Sequence, residues 1–343
     1  MSAPQPAFAL RPLEIKHLFD FSIRLLRSGF VPMFMALAMV QLPLVLLNLP
    51  FWLQFMTMMF DFQSRFNTTA QLPDAAFWNK YVDLGLYALI MVFVALAYQL
   101  LVTPLGSLAC ARLATTGLLG QTCTFGEALA HARKRYWPTQ VALALFLLPL
   151  LALALIVLAV VLVLKQAGNN DGVGVAAVLG IMLISLGGFA MVLLFCRLFM
   201  ALNGVIQAAE VPEGQGILQQ GLWLLRRSYE LTAGNFWKML GMLLMLQVIL
   251  NFVINGMTQG IRYILLFIRL ATGGNDPKLV YNALANPTSW ELGFTLLLGS
   301  LIGLLFAPLW QCFKTLLYFD MRCRKEAFDL LHVLELPGGE LEE

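Results

Sequence analysis

The chain has 343 residues, 60% of them hydrophobic and 12% charged, with a net charge of +3 and a mean hydropathy of +0.79. This composition excludes an ordinary water-soluble domain, whose interior is too small to hide so much apolar surface. The basic residues gather at the ends of apolar runs, which fits anionic lipid headgroups and argues against nucleic acid as a partner.

The first predicted element covers residues 14–28. Lys16, Asp20, Arg24 and Arg27 fall on one side at helical spacing, and Ile15, Leu18, Phe19, Leu25 and Leu26 cover the other. That is the pattern of a helix lying in the headgroup plane. Residues 30–60 carry no charge and exceed the roughly 20 apolar residues a span needs; Pro43 and Pro50 are expected to kink or shorten this first span. A polar connection follows over 61–80, with a glycosylation-type Asn67-Thr68-Thr69. The second span covers 81–111, interrupted by Pro104 and closed by Arg112.

Thr124-Phe125-Gly126-Glu127 has the form of a capping box, so a helix is predicted to start there. It carries His131, Arg133, Lys134 and Arg135 up to Tyr136-Trp137-Pro138, aromatic residues of the kind that anchor at a membrane interface. The third span covers 141–164 and the fourth 173–202, joined by the turn Asn169-Asn170-Asp171-Gly172. Arg197, late in the fourth, is expected to snorkel to the nearby surface.

A break at 208–215 holds Glu210, Pro212 and Glu213, read as a solvated loop. Residues 217–231 then place Ile217, Leu218, Leu222 and Leu225 broadly opposite Gln219, Arg226, Arg227 and Glu230, and Phe236-Trp237 repeat the aromatic anchor. The fifth span covers 239–257, with an apolar continuation over 261–270. Thr288 to Glu291 offers a second capping box, and the sixth span covers 292–318, with Pro308 placed much as Pro104 is. Asp320, Arg322, Arg324 and Lys325 end it. The acidic tail 336–343 is predicted to be disordered, outside a single membrane domain of residues 1–335.

Sixteen of the 22 basic residues fall on one side of this scheme, including Arg24, Arg27, Arg133, Lys134, Arg135, Arg226, Arg227, Arg322, Arg324 and Lys325. Under the positive-inside rule both termini are then cytoplasmic. The N-terminus has no signal-peptide pattern, so the first span is expected to target the chain. The expected fold is all-α and polytopic, with six transmembrane helices arranged as three helical-hairpin repeats (about 13–112, 124–205 and 216–325). Each repeat is led by a cytoplasm-side amphipathic helix, and three such units suit pseudo-threefold packing.

No residue set in this pattern calls for catalysis, a cofactor or a metal, and none is expected. The middles of the apolar runs lack ionisable groups, which are the usual mark of intramembrane chemistry. His17, His131 and His332 are never paired at ligand spacing, and Cys110, Cys123, Cys196, Cys312 and Cys323 form no CxxC. Asp171, Asp276 and Glu291 read as turn and cap residues. Gly299 and Gly303 form a GxxxG pattern that favours close helix packing.

The segment Leu317-Tyr318-Phe319-Asp320-Met321-Arg322-Cys323-Arg324-Lys325-Glu326-Ala327-Phe328-Asp329-Leu330 resembles the ending of a prokaryotic multi-pass family. That family is similar to the membrane domain attached to some glycerophosphoryl diester phosphodiesterases. Gly221-Leu222-Trp223-Leu224-Leu225-Arg226-Arg227-Ser228 followed by Phe236-Trp237 resembles its internal motif. The hydrolase of such proteins is a separate soluble barrel, for which this chain has no room, so that activity is not expected. The resemblance implies a stand-alone bacterial inner-membrane protein. The expected role is a noncatalytic scaffold or accessory protein engaging anionic lipids at the cytoplasmic face, a membrane-protein partner or a second copy of itself. The alternative is a transporter or lipid-translocating protein.

Overall fold

The computed structural model describes residues 15–68, 93–95, 97–167, 197–201, 203–210, 214–273 and 289–326, with isolated positions between 182 and 194. All regular structure among them is helical: α1 (Ile15–Thr68), α2 (Thr103–Leu118), α3 (Phe125–Ala167), α4 (Val205–Ala209), α5 (Ile217–Thr232), α6 (Phe236–Gly273) and α7 (Ser289–Glu326). Among the described residues, four helical segments are long and apolar enough to cross a membrane: His17–Pro50, Phe93–Leu118, Phe236–Ile268 and Gly293–Glu326. The predicted third span lies inside α3. The fourth span, the turn at Asn169–Gly172, the connection 274–288 and the acidic tail lie largely or wholly outside the described residues.

α1 packs against α7 and α2, α2 against α3, α6 against α7, and α5 against α3, while the single-turn α4 sits against α2. Small residues set the closest approaches. A Cβ on Gly106 of α2 would stand 2.9 Å from the Ala36 carbonyl oxygen of α1, and one on Gly221 of α5 would stand 2.5 Å from Val141 Cγ1 of α3. Of the GxxxG pair, Gly299 faces Thr258 of α6, whereas nothing lies within 4 Å of a Cβ on Gly303.

Several element boundaries differ from the sequence reading. α1 runs through Pro43 and Pro50 and on into the predicted polar connection as far as Thr68, and its backbone leaves helical values at Gly29 instead. Glycine in a helix is weakly held, so the bend between amphipathic segment and span falls there. α2 and α7 continue past Arg112 and Tyr318 to Leu118 and Glu326. The polar residues beyond each apolar run are taken up by protein contacts, so charge does not end these helices. Pro104 opens α2 in its first turn, where its missing N–H costs nothing. Pro308 lies inside the unbroken α7.

The capping box at the start of α3 is formed as expected. Thr124 N donates to Glu127 Oε2 at 2.8 Å and Glu127 N donates to Thr124 Oγ1 at 3.3 Å, and these two contacts hold the Glu127 carboxyl below its ordinary value. α3 then continues without interruption through Tyr136-Trp137-Pro138, so the predicted amphipathic segment and the predicted third span are one helix here. Between α5 and α6 the chain breaks, with Gly234 at φ +87.

The buried side of the chain keeps one spacing in two places. Leu18, Ser22, Leu25, Met33, Ala36, Leu37 and Val40 are all buried, and so are Leu224, Ser228, Leu231, Met239, Met242, Leu243 and Leu246 at identical intervals. Ala128, Thr139, Ala142 and Phe146 of α3 occupy the positions that correspond to Ser22, Met33, Ala36 and Val40, and they are buried too.

Candidate functional site

The polar residues that the apolar runs exclude converge at the basic end of the bundle, where α5 meets α4 and the last turns of α7. α5 is amphipathic in three stripes. Gly221, Leu224, Ser228 and Leu231 are buried at i, i+3, i+7 and i+10. Leu218, Leu222 and Tyr229 form an exposed apolar stripe, and Arg226 and Glu230 form an exposed charged one, joined at 2.7 Å. Ser228 Oγ and Thr232 Oγ1 donate to the Arg197 carbonyl oxygen at 2.9 and 3.4 Å. The Arg197 guanidinium lies 4.8 Å from the Tyr229 ring and 5.3 Å from that of Phe236. Arg197 is therefore held by aromatic faces.

Glu210, read from sequence as solvated, is the centre of an ion-pair network. Arg227 donates from Nε to Oε2 at 3.0 Å and from Nη2 to Oε1 at 3.1 Å, a bidentate pair. Arg322 Nε lies 3.0 Å from Glu210 Oε1, and Tyr318 donates its hydroxyl to the same oxygen. Glu326 closes the ring, with Oε1 at 2.5 Å from Arg227 Nη1 and Oε2 at 3.0 Å from Arg322 Nε. Burial works against the Arg227 charge, but the carboxylates of Glu210 and Glu326 outweigh it and hold the guanidinium more firmly protonated than an isolated arginine. Two carboxylates and two guanidiniums balance, so the network joins α5 to α7 without offering a net charge to a ligand.

Next to it, the buried Asp320 receives Lys238 at 3.3 Å and Arg324 at 3.0 Å, and Lys325 donates to the Glu230 carbonyl oxygen. The end of α4 is held by donors from two other helices. Arg112 Nη1 donates to the Ala208 carbonyl at 2.9 Å, and His131 Nε2 stands 3.2 Å from the Gln207 carbonyl. Burial pushes the His131 imidazole below its ordinary value; the Gln207 carbonyl acts the other way, and Arg112, Arg135 and Lys134 add to the lowering. A neutral imidazole donating to a carbonyl is a structural tie.

Deeper in the bundle lies Lys314, only 5% exposed. Its Nζ donates to Asn203 Oδ1 at 2.7 Å and stands 5.1 and 5.2 Å from the rings of Phe199 and Trp310. Among the described residues no carboxylate lies within ion-pair distance of it. Gln207 Oε1 and Gln311 Oε1 are buried without a hydrogen-bond partner. The sequence reading placed Lys314 at the basic end of the sixth span; α7 instead runs three turns beyond it.

The remaining candidates are dispersed. Arg133 and Lys134 are exposed and Arg135 is half-buried. Glu291 is buried in the first turn of α7, while its capping partner Thr288 lies outside the described residues. Cys110 and Cys312 are buried, Cys123 is half-buried, and none of the three is in a disulfide. His332, Asp171, Glu213, Asp276 and Cys196 lie outside the described residues. Among the described residues no group of three or more His, Cys, Asp or Glu is placed to hold a metal ion.

Fold and site together define an all-helical protein with several helices fit to cross a membrane and a charged junction at one end. Comparison with family models, curated proteins and solved structures gives no match.

Proposed function

We propose that this protein is a noncatalytic bacterial inner-membrane scaffold or accessory protein whose interfacial helices hold anionic lipid headgroups or partner proteins. In this reading six spans form three helical-hairpin repeats, and both termini are cytoplasmic. The observation that carries it is the surface of α5, where the apolar stripe Leu218, Leu222 and Tyr229 runs beside the charged stripe of Arg226 and Glu230 while the third face is anchored. A helix so divided suits the boundary between acyl chains and headgroups. Trp137 and Trp237 are 62% and 74% exposed where α3 and α6 begin their apolar runs, as interface anchors would be. The matching buried positions of α1, α5 and α6 favour the repeat, and the ending Leu317–Leu330 resembles the multi-pass family named above.

Transport or lipid translocation is favoured by one observation, the buried Lys314 together with two buried unsatisfied amide oxygens, those of Gln207 and Gln311. Of the two oxygens, Gln207 Oε1 belongs to α4 and Gln311 Oε1 to α7 itself, one turn before Lys314; transport is the second reading because Lys314 is packed between aromatic rings.

The lipid claim is tested by native mass spectrometry of protein released from neutral detergent. The wild type is expected to retain anionic over zwitterionic phospholipid, and the combined variant Arg133→Ala, Lys134→Ala, Arg226→Ala to retain severalfold less. Equal retention of both lipid classes by the wild type would count against the reading.

A further inference from the structure

The outward face of α6 carries a line of polar residues within an apolar helix. Gly241, Leu244, Val248, Asn251 and Asn255 are all exposed, at alternating steps of three and four, and Gln259 extends the line one turn further. That alternation is the seam of a two-stranded helical contact. Its apolar members stand well clear of the chain, with Leu244 55% and Val248 66% exposed, and nothing lies within 4 Å of a Cβ on Gly241. Gln247 Nε2 donates to Asn251 Oδ1 at 3.3 Å. Asn255 and Gln259 have no side-chain hydrogen bond among the described residues.

A carboxamide facing hydrocarbon loses its bonds to water and gains none, at a cost of a few kcal/mol per group. Asn255 makes no such bond among the described residues, and Asn251 has only its oxygen satisfied, by Gln247 of the same helix, leaving its amide N–H groups unused; Asn and Gln in a span commonly find the missing partner on another helix. We propose that this seam is where a second copy of the chain pairs with the first, through Asn251 and Asn255. The inference rests on α6 crossing the membrane, and it names the partner that the scaffold reading leaves open.

The chemistry favours a second copy over a different protein. A carboxamide is both donor and acceptor, so the seam is complementary to itself. Copies inserted in one orientation meet in parallel, and a two-fold axis along the membrane normal sets each residue against its own counterpart. From Gly241 to Gln259 there is no charged residue, so identical seams meet without like-charge repulsion. Arg262 lies beyond, toward the end of the apolar segment Phe236–Ile268, where headgroups and water can accept it.

The full-length protein in lipid nanodiscs provides the test. With the native cysteines replaced, Asn251→Cys is expected to cross-link to itself on oxidation and run at twice the mass, whereas Phe294→Cys on α7 does not. Asn251→Leu with Asn255→Leu is expected to raise the dimer dissociation constant at least tenfold, and both sites are exposed, so folding is retained. A wild type that stays monomeric, or a dimer that cross-links at position 294 and not 251, overturns the proposal. So does labelling of position 251 by a water-soluble thiol reagent, which would make the stripe the wall of an aqueous path. Lipid retention measured on the same samples separates the two readings: a monomer that still selects anionic lipid removes the pairing alone.

Discussion

Replacing Glu210 with alanine is expected to destabilise the protein by about 3 kcal/mol, since removing one member of a largely desolvated ion-pair set strands the rest. Arg227 and Arg322 would each lose a carboxylate at 3.0 Å, leaving Glu326 to serve both guanidiniums, and Tyr318 would lose its acceptor. The side chains of Glu210, Arg227 and Arg322 are 17%, 20% and 15% exposed, which tempers the loss relative to a fully buried pair. SDS-titration unfolding of the purified protein in mixed micelles reads it. Glu210→Gln keeps an acceptor for Tyr318 and is expected to lose less. The network would be incidental if Glu210→Ala unfolded at the wild-type midpoint.

Gly204→Ala is expected to cost a similar amount for a different reason. Gly204 holds φ +75 at the N-cap of α4, a left-handed conformation that costs an L-residue about 1 kcal/mol. A Cβ there would also meet Leu108 Cδ2 at 2.8 Å and Cγ at 2.9 Å, and overpacking of this kind typically adds about 1–3 kcal/mol. Gly214 separates the two contributions. It has φ +81 with nothing within 4 Å, so Gly214→Ala should show the backbone cost alone. Equal losses at the two glycines would mean that Leu108 gives way to the added Cβ at little cost.

These two sites show where sequence reasoning succeeds and where it stops. Apolar runs are legible because a bilayer imposes a minimum length, and the Thr124–Glu127 box is legible because its partners are three residues apart. Glu210 looked solvated because its partners are distant in sequence: Arg227 lies 17 residues away and Tyr318 lies 108. A charge following an apolar run reads as the end of a span, but the helices α2 and α7 continue past that point. Arg112 and Asp320 are instead satisfied by Ala208, Lys238 and Arg324 while the helix continues. Ionisable residues are the usual marker of a polar site in a span, and that marker passes over Asn251 and Asn255, which carry no charge. Their exposure on α6 becomes visible only once the packing of α6 on α7 is known.

In the proposed function α5 lies at the membrane surface, pinned by its buried face and by Glu210, with its apolar stripe in lipid. Spin labels at Leu222→Cys and Arg226→Cys in bilayers, compared for collision with dissolved oxygen and with a water-soluble nickel chelate, test it most directly. Position 222 is expected to be reached mainly by oxygen and position 226 mainly by the chelate. Equal access of the chelate to both positions would place the helix in water and contradict it.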